Sequence, residues 1–413
     1  MVGLWFLAAE HLRLGSWDLL KGYAGGDDLD ISPRIAMQIV NEAAICKNRV
    51  RKNNYISHQG FELLNGLSFL ASDVEVHNFF DEHTVAQAQA LQETLAKIRH
   101  NNGHYKGDVI AIDPHRIVST SKRIMPKKKK QPNEPSRKML QTFFSLDTET
   151  GQPIGCGIGT TGVNTTKATL DLLNLTNKIK HNKALILADK EHFTRGLISG
   201  INTSNQFEYL VPAIFTTRIK KIAESLDYKR KWAGYAIAET NFNFNDNKEE
   251  YRLIVQREGE VEGEYKYMPF LALSDKPAVT LLCDKYKERW SIEEFFNFDG
   301  AMGFDRASTF NLNIRYGKMS LALLAQAATY QLRQKLEKPY SRWNAIHLSD
   351  AIFNKIDGDI RVENDTIIVI SYNLPKEFGL HKAYQNLPQK LSDEEINPKI
   401  PWLYDFKLDF RFK

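Results

Sequence analysis

Cysteine is scarce and scattered. The three residues, Cys46, Cys156 and Cys283, form no CxxC pair. That spacing excludes a disulfide framework and a thiolate zinc site, and it fits a reducing cytoplasm. Long apolar runs are missing too: none approaches the roughly 18 residues that a membrane helix needs. No membrane partner is therefore expected. The opening stretch MVGLWFLAAEHLRL has no basic flank and contains Glu10, so it reads as an amphipathic helix and not as a signal peptide. Histidines at 104, 115, 181 and 192 show no HxxxH-type ligand spacing and read as loop or packing residues. Charge of one sign is not in large excess, at +5 over 413 residues, so the local distribution of charge says more than its sum.

What is present begins with that distribution. SKRIMPKKKKQPNEPSRK, residues 121–138, holds eight basic residues against Glu134 alone, with three prolines. The prolines predict an extended loop. Lys127, Lys128, Lys129 and Lys130 could neutralise a phosphate backbone and release its counterions; a solvated basic loop is the plainer alternative.

Hydrophobic residues make up 42 % and charged residues 25 % of the chain, an ordinary globular balance with room for two or three domains. Residues 1–105 read as helices. Ser32 caps one that continues through Pro33, and Asn65-Gly66 predicts a tight turn between two more. That pair could be a helix-turn-helix or plain helical packing. From Gly107 the pattern becomes α/β. DVIAID and ALILAD read as short buried strands, each ending in an aspartate. Between them lie a hairpin turning near DTETGQP and an amphipathic helix, TTKATLDLLNLTNKIKHN. Residues 207–282 read mostly as strands, too long a stretch for a loop in a compact domain, so an inserted β-subdomain is expected. The tail carries a hairpin, DIRVENDTIIVISYN, and a closing strand with alternating Phe406, Leu408, Phe410 and Phe412.

Strand-end carboxylates in α/β sheets tend to line ligand crevices. If the strands ending at Asp113 and Asp189 are neighbours, the two carboxylates repel and need a cation. All-oxygen donors suit Mg2+ or Mn2+. An Asp before Pro also starts turns, so each aspartate alone is ambiguous. YKERWSIEEFF, residues 286–296, supplies a third acid. At roughly 100° per residue, Tyr286, Arg289 and Glu293 share one helix face. Glu293 could complete a metal site and Arg289 could grip a phosphate through both arms; a surface ladder of i, i+4 ion pairs is the alternative. Adjacent helical residues diverge by about 100°, so Glu294 should be the solvated neighbour.

In order and spacing these features resemble the DDE transposases of bacterial insertion sequences. The family signature Y-x2-R-x3-E-x6-K matches Tyr286, Arg289 and Glu293, with Gly300 at the lysine position. AIDPHRI, QTFFSLDTETGQP and DKEHFT look like one subgroup of these enzymes. The resemblance implies a ribonuclease H-like mixed α/β sheet with a β-insertion before the glutamate. It also implies Asp113, Asp189 and Glu293 as catalytic ligands of two Mg2+ or Mn2+ ions, and Tyr286 as a DNA contact near the cleaved phosphate. Partners implied are double-stranded DNA, as element ends and target, and a second copy of the chain in a DNA-bound homodimer. With Gly300 uncharged, Arg306, Arg315 and Lys318 become candidates to hold the strand. The expected organisation is a helical, candidate DNA-binding domain at 1–105, a catalytic domain at 106–338 and an α+β extension at 339–413. Other readings of the same residues are a ribonuclease H-like nuclease and a catalytically inactive DNA-binding relative.

Overall fold

The computed structural model of the chain describes all residues except 47–57, 120, 121, 123, 125, 126, 129–132, 160–163, 181, 182, 245–247 and 306–308. His181, Lys129, Lys130 and Arg306 thus lie outside the described residues. The chain forms two compact units. One comprises Gly103–Arg116 and Leu140–Glu294; the other comprises Met1–Asn102, Ile117–Met139 and Phe295–Lys413.

The first unit is built on a mixed sheet. Its strands are β1 (Val109–Val118), β3 (Arg137–Asp147), β4 (Gln152–Gly159), β5 (Leu185–Ala188), β6 (Glu208–Pro212), β7 (Lys229–Trp232), β8 (Tyr235–Phe242), β9 (Tyr251–Glu258) and β10 (Lys266–Leu273); β2 (Lys127–Lys128) belongs to the second unit. The order runs β3-β1-β5-β6-β10-β9-β8-β7, with β4 paired to β3. β3 and β4 are antiparallel, while β1–β5 and β5–β6 are parallel. This is the mixed α/β sheet expected, continued by an antiparallel meander.

Local chemistry explains the core strands. Every residue of β5 and of β4 is buried, and each fully buried aliphatic side chain contributes about 1.5–3 kcal/mol. The β3–β4 turn closes with Gly151 at φ +65°. The Asp147 carboxylate accepts from Gly107 N–H at 2.9 Å and Thr150 N–H at 3.0 Å. A crossover helix, Thr165–Asn177, starts at Asn164, whose side chain accepts from Lys167 N–H at 2.9 Å. It lies so close to β4 that a Cβ on Gly157 would sit 3.1 Å from the Ala168 carbonyl oxygen. Parallel strands need such a crossover, and Arg195–Ser204, capped by Thr194, supplies the next one.

Three details differ from the sequence reading. β1 does not end at Asp113 but runs on to Val118. FEYLVPAI contributes β6, which extends the parallel core beside β5. The β-rich stretch also contains a helix, Thr217–Ser225, capped by Thr216, whose short, mostly polar sequence masked its amphipathic period.

In the second unit the helix Leu312–Gln334 is almost entirely buried and packs on Ile31–Ala44 and Val85–Asn101. Gly317 permits that closeness, because a Cβ there would meet Tyr23 Oη at 2.5 Å and Phe80 Cδ1 at 2.6 Å. Asp30, not Ser32, precedes Ile31–Ala44. The turn at Asn65-Gly66 is present, but the next helix starts only at Asp73, where Ser72 and Glu75 form a reciprocal cap. The expected tight turn is therefore a longer connection: the cap fixes where the second helix begins. A smaller sheet, with β11 (Gly358–Glu363), β12 (Thr366–Ser371), β13 (Lys399–Ile400) and β14 (Phe406–Phe412), is ordered β11-β12-β14-β13.

Candidate active site

Register brings the two aspartates together. β1 and β5 pair in parallel with Ile112 beside Ala188, so the next residues are Asp113 and Asp189. Asp108 C=O accepts from Leu185 N–H, whereas Val109 C=O accepts from Thr148 N–H. Backbone groups alternate sides along a strand, so even-numbered residues of β1 face β5. The missing N–H of Pro114 therefore falls on the β5 side, beyond Ala188, where β5 has ended. A proline inside a central strand would forfeit a ladder bond; here none is available to lose. That is why the strand passes through Pro114.

Glu293 arrives on an irregular helix. Thr280–Lys285 form a wide π-type turn, Tyr286–Trp290 a tight 3-10 stretch, and Ser291–Asp299 an α-helix. The shared face nevertheless holds. Arg289 Nη2 donates to Glu293 Oε1 at 3.0 Å, and Nη1 to Asp113 Oδ1 at 3.4 Å. One guanidinium thus bridges two of the three carboxylates. Tyr286 packs edge-on against Phe270, with ring centroids 4.8 Å apart. Glu294 is exposed. The helix breaks after Asp299, and Gly300 opens a short 3-10 turn in which it is buried, so the face does not continue to Gly300 as a regular helix would have it. Arg315 is fully buried, whereas Lys318 is exposed.

The electrostatics show that the charges of Asp189 and Glu293 are felt at Asp113. Burial pushes the Asp113 carboxyl up to about 7, and the charges of Asp189 and Glu293 push the same way, against Arg289 and Arg116. Burial likewise raises the Tyr286 phenol to about 12, with Arg289 opposing and Asp189 and Asp113 adding to the rise. Burial disfavours the charge of Arg289, yet Tyr286, Asp113 and Glu293 hold its pKa above the usual value. At Asp113 burial and the fields of Asp189 and Glu293 outweigh the opposing guanidiniums of Arg289 and Arg116. Carboxylate oxygens are the donors that a hard divalent cation takes; among the described residues, no group of three or more His, Cys, Asp or Glu side chains stands gathered for a metal ion.

Some contributors were not legible as functional. His192, read as a loop or packing residue, is fully buried and places Nδ1 2.9 Å from Asp189 Oδ1. The Tyr209 hydroxyl donates to the His192 carbonyl at 3.2 Å. Arg116 pairs with Glu191. The available signal was the DKEH spacing: an Asp capping one tight turn meets the side chain three residues on. Of the basic segment, Lys127 is exposed, and β2 pairs antiparallel with β3, setting Lys127 opposite Lys138 and Lys128 opposite Arg137. The segment is thus partly a strand, not wholly an extended loop.

Residues 104–327, more than half of the chain, match the family model of the transposase DDE domain. The chain belongs to the DDE transposase family and is a DDE-type DNA transposase. Domains of this family generally use a divalent metal. Among solved structures it is similar to the piggyBac transposase in a synaptic complex with hairpin DNA. The TM-score is 0.47 at 12 % identity, over 84 % of this chain and 79 % of that one. No curated protein matches the sequence. Among the described residues, no helix is long and apolar enough to cross a membrane.

Proposed function

We propose that Asp113, Asp189 and Glu293 are the catalytic carboxylates and hold two Mg2+ or Mn2+ ions. On this reading the protein cleaves the ends of a bacterial insertion sequence and joins them to target DNA in the cytoplasm, as a homodimer assembled on double-stranded DNA. The observation that carries it is the β1–β5 register, which sets Asp113 beside Asp189, together with the Arg289 bridge from Asp113 to Glu293. Held there, such ions would supply Lewis-acid chemistry, activating water or later a DNA 3′-hydroxyl and stabilising the leaving oxygen.

The chain's own residues supply the remainder. Arg289 balances the carboxylates and presents a planar fork that matches a phosphate. Tyr286, anchored on Phe270, keeps its proton at neutral pH and can donate to a phosphate oxygen. Lys127 and Lys138 face each other across a short ladder. This local excess of basic residues suits a polyanion, so we assign Lys127–Lys130 to the DNA backbone. The helices of 1–105 would add DNA contacts, 106–338 the chemistry, and 339–413 a supporting extension.

The test is a plasmid carrying the inverted repeats that flank the coding sequence. Mn2+-dependent nicking at the repeat ends, lost in Asp113→Asn, Asp189→Asn and Glu293→Gln, is the expected result. Nicking that survives all three substitutions would overturn the assignment of the site.

A further inference from the structure

The side chain of His192 is completely buried, with its ring edge-on to Phe143 at 5.8 Å between centroids. Among the described residues, its Nε2 has no hydrogen-bond partner. Packing alone does not favour histidine at such a place: a phenylalanine would fill a similar slot beside Phe143 without stranding a polar atom. The other ring nitrogen has a definite task. Nδ1 lies 2.9 Å from Asp189 Oδ1, and a carboxylate oxygen can only accept, so Nδ1 carries the proton.

We propose that His192 is a positioning residue for Asp189, one that fixes which carboxylate oxygen is left for a divalent cation. Asp189 Oδ1 accepts twice, from His192 Nδ1–H and from Glu191 N–H at 3.0 Å. Oδ2 takes no hydrogen bond among the described residues. Two donors on one oxygen hold the carboxylate in one rotamer and direct its remaining lone pairs to the crevice shared with Asp113. His192 is itself held from behind, because the buried Tyr209 hydroxyl donates to its carbonyl oxygen at 3.2 Å. The arrangement is an outer-shell support of the kind that commonly changes metal affinity by about 10- to 100-fold when removed.

The inference rests on Asp189 being a metal ligand, and the experiment separates the two. Mn2+ binding to the full-length protein is followed by titration calorimetry, beside Mn2+-dependent nicking and DNA retardation. His192→Phe keeps an aromatic ring but removes the donor. His192→Asn restores an N–H near the position of Nδ1. The expected result is Mn2+ binding weakened roughly 10- to 100-fold in His192→Phe, recovery of most of that loss in His192→Asn, and DNA retardation unchanged in both. Wild-type Mn2+ affinity in His192→Phe overturns the proposal, as does an Asn variant no better than the Phe variant. If Asp189→Asn itself binds Mn2+ like the wild type, the metal-site reading fails instead. Should His192→Phe not fold, the Asn variant is compared with His192→Ala for the same difference.

Discussion

Asp113 and Asp189 stand side by side because each follows a member of the pair Ile112–Ala188 on adjacent parallel strands. Their proximity is a matter of register, which is strongly fixed where both strands are buried. The consequences can be measured.

Removing either carboxylate, by Asp113→Asn or Asp189→Asn, should lower Mn2+-dependent cleavage by roughly a thousandfold, the scale of several kcal/mol in a barrier. Glu293→Gln should behave alike and Glu294→Gln nearly as the wild type, with DNA retardation unchanged in all four. An inactive Glu294→Gln beside an active Glu293→Gln would move the catalytic register by one residue.

Crowded carboxylates should make a bound cation stabilising. At Mn2+ one hundred times above its dissociation constant, folding should gain about 2.7 kcal/mol, visible as a rise in Tm. The same addition should leave the Tm of Asp189→Asn nearly where it was. Calorimetry on both proteins with and without Mn2+ checks this.

Arg289 bridges Asp113 and Glu293, so Arg289→Ala removes both a balancing charge and a phosphate fork. Cleavage should fall about 10²- to 10³-fold, the usual cost of losing one oriented donor. Arg289→Lys should recover only part of that, since an ammonium lacks the planar fork. Full activity in the lysine variant would reduce the role of Arg289 to charge alone.

Neutralising Lys127, Lys128, Lys129 and Lys130 to Gln should weaken binding to all DNA sequences alike. The log–log salt slope should flatten by about 0.9 for each phosphate that is no longer neutralised. Filter binding across a salt series decides; an unaltered slope would return the segment to a solvated loop.

His11 offers a pH test of the second unit. Burial depresses its pKa from 6.5 to about 4, against a smaller opposing pull from Asn41; Nδ1 meets Ser16 Oγ at 2.9 Å. As pH falls below 6.5 the unfolded chain takes the proton first. Stability present near neutrality is therefore lost progressively between about 6.5 and 4, to a total of about 3 kcal/mol. Urea unfolding of the wild type and His11→Gln should show a steeper loss in the wild type over that window.

Much of this architecture was legible because it depends on short-range signals. DVIAID and ALILAD could hardly be anything but buried strands, and the DTETGQP turn announced its hairpin. The shared face of Tyr286, Arg289 and Glu293 followed from helical geometry, although the real helix widens at Thr280–Lys285 and tightens at Tyr286–Trp290. The strand through Pro114 was not legible, because a proline's cost depends on which side its missing donor faces and on where the neighbouring strand stops. The parallel pairing of β6 with β5 is likewise a long-range fact, invisible in FEYLVPAI itself. His192 escaped for another reason: a single histidine carries no period, and its meaning arises only when a tight turn folds it back on Asp189.

Pro114 also acts as a doorstop. Were β5 to slide forward, or were it lengthened past Ala188, the growing ladder would arrive at a position that cannot donate. A ladder extended that far would lack one bond, one residue beyond Asp113. A residue that reads as a strand breaker instead makes a longer β5 less favourable just where Asp113 and Asp189 stand.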